Sequence, residues 1–306
     1  MQEVKCDTCY NCGVCGGEKQ EYCCRWAPSL GELENTHQAV WGTKDYIYKE
    51  DKLKPTVFFG LYDVRDFWAL WRHKGKRYVF WGGSDIEHLR QGFLFNSGKL
   101  KWLGRFCKWS IPLLIKLLKN CEHYVENEIQ QRKLEALGLG ARVQSSFLGK
   151  IEDFPITYKH SEKPNVFISG HPGREYEYGF DFVEELAKKV PECIFHLYGA
   201  SWKSEKENII CHGRVSKEQF NKEIQNYQCG LRPNIADGAS EIMVKSILNG
   251  GYPITRIKYS FVDYYETEEE LIILLKALKN QKEPNIEARK WWVKNLNNFP
   301  WKCLNT

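Results

Sequence analysis

Short apolar runs closing on a glycine alternate with amphipathic stretches through most of the chain, and the alternation occurs twice. In the first half, residues 56–60, 76–81, 121–126 and 141–148 read as strands. Between them, residues 63–73 carry Val64, Phe67, Trp68 and Trp71 at three- and four-residue spacing. Ser110 and Pro112 mark a helix start, and 128–137 is a helix stopped by Gly138. Residues 149–164, with Pro155 and Pro164, read as a linker. The second half resumes with strands at 165–169, 193–198, 208–211, 229–232 and 252–255. Its helices fall at 178–190, 217–227, 239–249 and 266–279. Strand–helix–strand repetition implies parallel sheets covered on both faces, and near-continuous apolar strands are what such burial requires. The expectation is an α/β chain of two Rossmann-like doubly wound domains facing across a cleft, where open α/β sheets place ligands.

The 306 residues suffice for two cores, and 42% hydrophobic with 27% charged content excludes a disordered chain, a collagen-like repeat and an integral membrane protein. The most apolar stretch, 111–118, is interrupted by Lys116 and too short to span a bilayer. Met1-Gln-Glu-Val-Lys5 leads into cysteines without an apolar core, so no signal peptide is read and a cytoplasmic location is expected. Aromatic content is 14% with 11 Trp, which suits large cores, carbohydrate stacking or membrane-interface contact. Charge is uneven. Residues 1–150 hold 23 basic against 17 acidic side chains and residues 151–306 hold 21 against 22, so the positive excess belongs to the first half. That half is expected to meet something anionic. The basic, aromatic stretch 99–120 reads either as a peripheral contact with anionic membrane or as a solvated helix face packing its Leu/Ile side inward.

Six of the 12 cysteines, Cys6, Cys9, Cys12, Cys15, Cys23 and Cys24, crowd into a Cys-rich segment at 1–25. In a cytosolic chain this spacing points to a structural thiolate metal site, zinc or an iron–sulfur cluster, although it fits neither a zinc-ribbon nor a ferredoxin template. Disulfides or free thiols are the alternative.

The densest pattern runs from Leu231 to Ile254. A strand ends at Arg232, a Pro/Asn loop turns at Asp237-Gly238, and a helix is expected from Ala239 with Ser240 in its first turn. The free N–H groups and positive dipole of such a helix start suit a phosphate or polar sugar. Asp237, Glu241 and Lys245 fall on one face, and eight residues at ~1.5 Å rise put Asp237 and Lys245 about 12 Å apart. Read alone, Glu241 and Lys245 are a surface ion pair and Asp237-Gly238 a turn.

Pro233, Asp237-Gly238, Lys245, Gly250-Gly251 and Tyr252-Pro-Ile254 together resemble the large retaining GT-B glycosyltransferase family that transfers sugars from nucleotide donors. In that family two acidic residues stand eight positions apart before a glycine and a Pro-Val-Ile strand. The resemblance implies that Asp237 contacts the transferred sugar. Lys245 replaces the second acid, which binds the nucleotide ribose, and a lysine there suits phosphate. Ser169-Gly-His-Pro-Gly173-Arg174 to Gly179 resembles the family's Gly-Arg…Lys-Gly loop, which grips the donor diphosphate. Arg174 matches, and Tyr178 occupies the Lys position. His171 in this loop reads as a turn residue. Gly199, in Leu197-Tyr-Gly, and Gly213-Arg214 match the strand-end glycines beside the nucleoside. In the first half, Gly82, Gly83, Ser84 and Asp85 resemble the family's cleft-facing acceptor-side loop, and Tyr124-Val-Glu126 its strand before the crossover.

After the Cys-rich segment (1–25), which stands where the family's opening strand and Gly-rich loop would be, the resemblance implies an acceptor-side Rossmann-like domain (26–150), a nucleotide-sugar-binding Rossmann-like domain (151–285) and a C-terminal helix (286–306) returning to the first domain. It implies transfer of a hexose-type sugar from a nucleoside-diphosphate donor to a glycan or lipid-linked acceptor, with retention, no cofactor for catalysis and no nucleic-acid partner. The enzyme would be cytoplasmic and peripheral to a membrane. Asp237 and Arg174 are the catalytic candidates. The alternatives are a GT-B sugar-nucleotide epimerase and a non-catalytic sugar-nucleotide or nucleic-acid binding module with a Cys-metal finger.

Overall fold

A computed structural model describes residues 22–28, 30, 42–92, 108–234 and 237–296. The first domain is a six-stranded, wholly parallel sheet in the order β2-β1-β3-β4-β5-β6. Its strands are β1 (Cys23–Trp26), β2 (Lys44–Asp45), β3 (Thr56–Phe59), β4 (Arg77–Phe80), β5 (Glu122–Val125) and β6 (Ala141–Val143). The helices are α1 (Tyr48–Asp51), α2 (Val64–Arg72), α3 (Ser84–Gln91), α4 (Ile111–Leu118) and α5 (Glu128–Glu135). Alternate strand residues go to opposite faces. Trp26, Val57, Phe59, Tyr78, Phe80 and Tyr124 pack on one side, while Phe58, Val79, Trp81 and Val125 meet Phe67, Leu70, Ile86 and Leu134 of the helices on the other.

The opening strand corrects the sequence reading. Cys23 and Cys24 belong to β1, between β2 and β3, and both are buried. Burial, with smaller contributions from Asp45 and Cys23, pushes the Cys24 thiol far above the ordinary thiol range. The pair is committed to the sheet. Cys6, Cys9, Cys12 and Cys15 lie outside the described residues, as do Lys99, Lys101 and Arg105 of the basic stretch and the end of the chain beyond Leu296. Among the described residues no group of three or more His, Cys, Asp or Glu is placed to hold a metal ion. No helix there is long and apolar enough to cross a membrane.

The second domain has the strand order β12-β11-β10-β7-β8-β9, again all parallel. Its strands are β7 (Asn165–Ser169), β8 (Ile194–Tyr198), β9 (Ile209–Gly213), β10 (Cys229–Arg232), β11 (Ile254–Thr255) and β12 (Asp263–Tyr264). Helices α6 (Phe180–Lys189), α7 (Lys217–Glu223), α8 (Glu241–Leu248) and α9 (Glu268–Ala277) cover it. This is the dinucleotide-fold order, and the chain reverses direction across the sheet between β7 and β10. The last helix, α10 (Ile286–Leu296), packs Ala288, Trp292 and Leu296 against Met243, Val244 and Ile247 of α8 and against Phe147 and Phe154. Its end reaches the first domain where Gln144 Nε2 donates to the Asn295 carbonyl, 3.2 Å.

Tryptophan divides between core and surface. Trp26, Trp81 and Trp292 are buried, while Trp68, Trp71 and Trp109 are largely exposed.

Candidate functional site

The strand-order reversal leaves a crevice beyond the C-terminal ends of β7 and β10, and the two motifs read from sequence are the loops that leave those ends. After β7 the chain turns through Gly173 (φ 78°) and Gly179 (φ 77°) into α6. Arg174 points outward, its Nε donating to Glu177 at 2.7 Å, with its guanidinium 5.6 Å from the centre of the Tyr178 ring. After β10, Arg232 Nε donates to Asp237 Oδ2 at 2.6 Å and Nη1 to the Ser169 carbonyl at 3.2 Å. Its guanidinium lies 4.6 Å from the same Tyr178 ring. Asn234 Nδ2 donates to the Glu177 carbonyl at 2.9 Å, joining the loops a second time. The arginine loop and the Asp237 turn are therefore one surface.

The helix after the turn begins at Glu241, two residues later than the pattern predicts. Ala239 and Ser240 precede it, and Ser240 makes no side-chain cap. Lys245 departs from the surface-pair expectation. Its side chain is only 5% exposed, with Nζ 3.0 Å from Glu241 and 5.2 Å from the centre of the Phe220 ring. The stem is packed and the charge is held by one carboxylate and an aromatic face.

Gly199 and Gly213 end β8 and β9, linked by a 2.7 Å hydrogen bond from Gly199 N to the Gly213 carbonyl. A Cβ on Gly199 would lie 2.3 Å from the Gly170 carbonyl oxygen, so this close backbone approach requires glycine. Arg214 follows as an exposed residue. Beneath this edge, His196 Nδ1 and His212 Nε2 are 2.9 Å apart, and the Tyr198 hydroxyl donates to Glu223 at 2.7 Å. Burial and the neighbouring His212 lower His196 to about 4, so it is neutral at physiological pH.

The first domain closes the crevice. Gly83 sits against the Asp237 turn, a Cβ there falling 3.7 Å from Gly238 N. Ser84 is exposed at the start of α3. Asp85 is a correction: it does not face the cleft but is fully buried, accepting from the N–H groups of Leu61 (3.1 Å), Gly82 (3.1 Å) and Ile86 (3.0 Å). Burial outweighs those bonds and lifts its carboxyl to about 6. It ties the β3 and β4 loops together, which shapes the first-domain wall of the crevice from behind.

Residues outside the sequence motifs' site positions make the contact between domains. The Asp237 carbonyl accepts from Asn127 Nδ2 (2.9 Å) and Gln130 Nε2 (3.3 Å). Glu126 Oε2 accepts the Ala239 N–H at 3.0 Å, its other oxygen takes the Ser146 hydroxyl, and the Tyr259 hydroxyl donates to the Gly238 carbonyl. A Cβ on Gly238 would fall 1.7 Å from Glu126 Oε2, so only glycine fits. Burial foremost, with Asp237 nearby, pushes Glu126 up to about 7. The signals were present: Glu126 directly follows a strand, Asn127 is the N-cap of α5, and Arg232 ends a strand just before Pro233.

Two parallel doubly wound domains meeting across a crevice, with Gly-rich loops on both lips, define the GT-B class of fold. The likeness to solved structures agrees with that architecture. The lipopolysaccharide outer core galactosyltransferase WaaB superimposes with a TM-score of 0.59 at 13% identity, covering 91% of this chain and 98% of that one. TarM of S. aureus, solved with fondaparinux, alpha-GlcNAc-glycerol and UDP, gives 0.51 at 14% identity over 87% of this chain and 54% of its own. The pneumococcal O-GlcNAc transferase GtfA, in complex with UDP and GlcNAc, gives 0.50 at 11% identity over 82% and 56%. The chain thus spans about half the length of TarM and GtfA. No family model and no curated protein sequence matches it.

Proposed function

We propose that the chain is a glycosyltransferase that moves a sugar from a nucleoside-diphosphate donor to a glycan or lipid-linked acceptor. One observation carries the reading: the loop bearing Arg174 and the turn bearing Asp237 meet at the strand-order reversal, bridged by Arg232, on the face closed by the first domain. Breaking the sugar C1–O bond leaves negative charge on the diphosphate. A guanidinium fixed beside it stabilises that charge without a divalent ion, as its planar set of N–H donors fits phosphate oxygens. Asp237, held at the turn by Arg232 and the Gly238 N–H (3.0 Å), is the acid beside the transferred sugar. Retention and metal independence belong to this reading, as does a cytoplasmic site of action.

The acceptor side includes a membrane-facing surface. Between α2 and α4 lies an apolar groove of about 660 Å³ lined by Val64, Phe67, Trp68, Trp71, Leu113 and Leu117. Trp68 and Trp71 are 56% and 60% exposed and Leu113 61%. Arg77 and Lys116 also line the groove, which suits the interface of an anionic bilayer. Cys6, Cys9, Cys12 and Cys15 are proposed as the thiolates of a structural zinc or iron–sulfur site.

A thermal-shift panel of UDP-, GDP-, CDP- and ADP-sugars tests the function. One donor stabilising the protein, followed by slow release of its nucleotide, supports transfer. No shift with any donor, but salt-sensitive binding of RNA or DNA, favours a binding module.

A further inference from the structure

The loop after β7 holds one arginine and a tyrosine where a second cation would complete a diphosphate grip, and the structure brings an arginine to that tyrosine from another strand. We propose that Arg232 is the second diphosphate-binding cation of the donor site, acting with Arg174 across the Tyr178 ring; this rests on the nucleoside-diphosphate-sugar reading. The two guanidinium carbons lie 4.6 Å and 5.6 Å from one ring centre, so Tyr178 spaces two positive charges at the lip of the crevice. An arginine stacked on an aromatic face keeps its donor fork oriented. Arg232 is fixed further by Ser169 and Asp237 through Nη1 and Nε. Its Nη2 has no hydrogen-bond partner among the described residues, so one nitrogen of the guanidinium remains to receive an anion. The side chain is 13% exposed, which weakens competition from water for that nitrogen. Asp237 is the counter-ion that makes this largely buried arginine tolerable. Tyr178 therefore does not remove the second cation from the grip; it relocates it to the end of β10 and supplies the surface on which it rests.

The test compares wild type, Arg232→Gln, Arg232→Lys and the double variant Arg232→Gln/Tyr178→Lys by calorimetric titration with UDP, GDP, CDP and ADP and with the matching nucleosides. Expected is a loss of about 10- to 100-fold in affinity for the preferred diphosphate in Arg232→Gln, the size of a lost charged hydrogen bond. Nucleoside affinity should stay within threefold. Arg232→Lys should recover part of the loss, and the double variant, which returns a cation to position 178, most of it. Diphosphate affinity unchanged in Arg232→Gln overturns the proposal, as does equal loss of diphosphate and nucleoside binding or a double variant no better than the single one. If Arg174→Gln loses diphosphate binding while Arg232→Gln does not, the donor reading survives and this assignment alone falls. If wild type binds none of the four diphosphates, both fall.

Discussion

The carboxylate of Glu126, at the end of β5 in the first domain, accepts the backbone N–H of Ala239, in the turn before α8 of the second, at 3.0 Å. One buried acid thus reaches from the first domain onto the turn that carries Asp237. Its other oxygen is held by Ser146, so the contact has a fixed geometry.

That contact should depend on pH. The folded pKa of Glu126, about 7, is raised from 4.5, so the native state binds the proton more tightly than the unfolded chain. The stability this provides is complete below pH 4.5 and is lost as pH rises through about 7. The shift corresponds to roughly 3 kcal/mol. Glu126→Gln cannot ionise, so its melting temperature should gain on wild type between pH 5 and pH 8 and then run parallel. Parallel curves throughout would contradict a buried Glu126 carboxyl.

Gly238→Ala places a methyl group onto the same carboxylate, with a Cβ 1.7 Å from Oε2. It should destabilise the protein by about 1–3 kcal/mol, as overpacking does. In a Glu126→Ala background the same substitution should cost much less, a coupling that a double-mutant cycle of chemical denaturation measures.

The groove between α2 and α4 predicts a lipid phenotype. Replacing both Trp68 and Trp71 by Ala should reduce sedimentation with vesicles of mixed phosphatidylglycerol and phosphatidylcholine at least tenfold, and raised salt should weaken wild-type binding. Because both rings are largely exposed, the melting temperature should change little.

Elemental analysis addresses the cysteines. Purified protein should carry about one equivalent of zinc or a cluster with its visible absorbance, and Cys9→Ser/Cys12→Ser should lose it. Replacing Cys23, buried in β1, should lower stability instead.

The sequence made most of the fold legible because parallel strands buried on both faces are apolar throughout. Val-Phe-Ile of β7 and Thr-Val-Phe-Phe of β3 are unmistakable in isolation. β1 was hidden because its Cys-Cys-Arg-Trp reads as part of a thiol cluster. Its partly buried Arg25, in a strand flanked on both sides, pairs with Asp66 at 2.7 Å, a contact 41 residues away. The two loops of the candidate site were legible as motifs, and their meeting was not. Residues from separate strands converge there through topology, so Arg232 and Tyr178 carried no local signal of partnership. Asp85 misled for a related reason. A strand-end acid can point at a ligand or fold back onto backbone N–H groups, and the deciding Leu61 and Gly82 lie on two loops.

The central claim is that the Arg174 loop and the Asp237 turn form one donor pocket. Its most direct test is the turnover of the preferred sugar nucleotide by Arg174→Ala and Asp237→Ala, each checked for an unchanged fold by circular dichroism. The account predicts that both lose about 100-fold or more in kcat, the scale of removing a charge-stabilising group from an active site; wild-type turnover in both variants would contradict it.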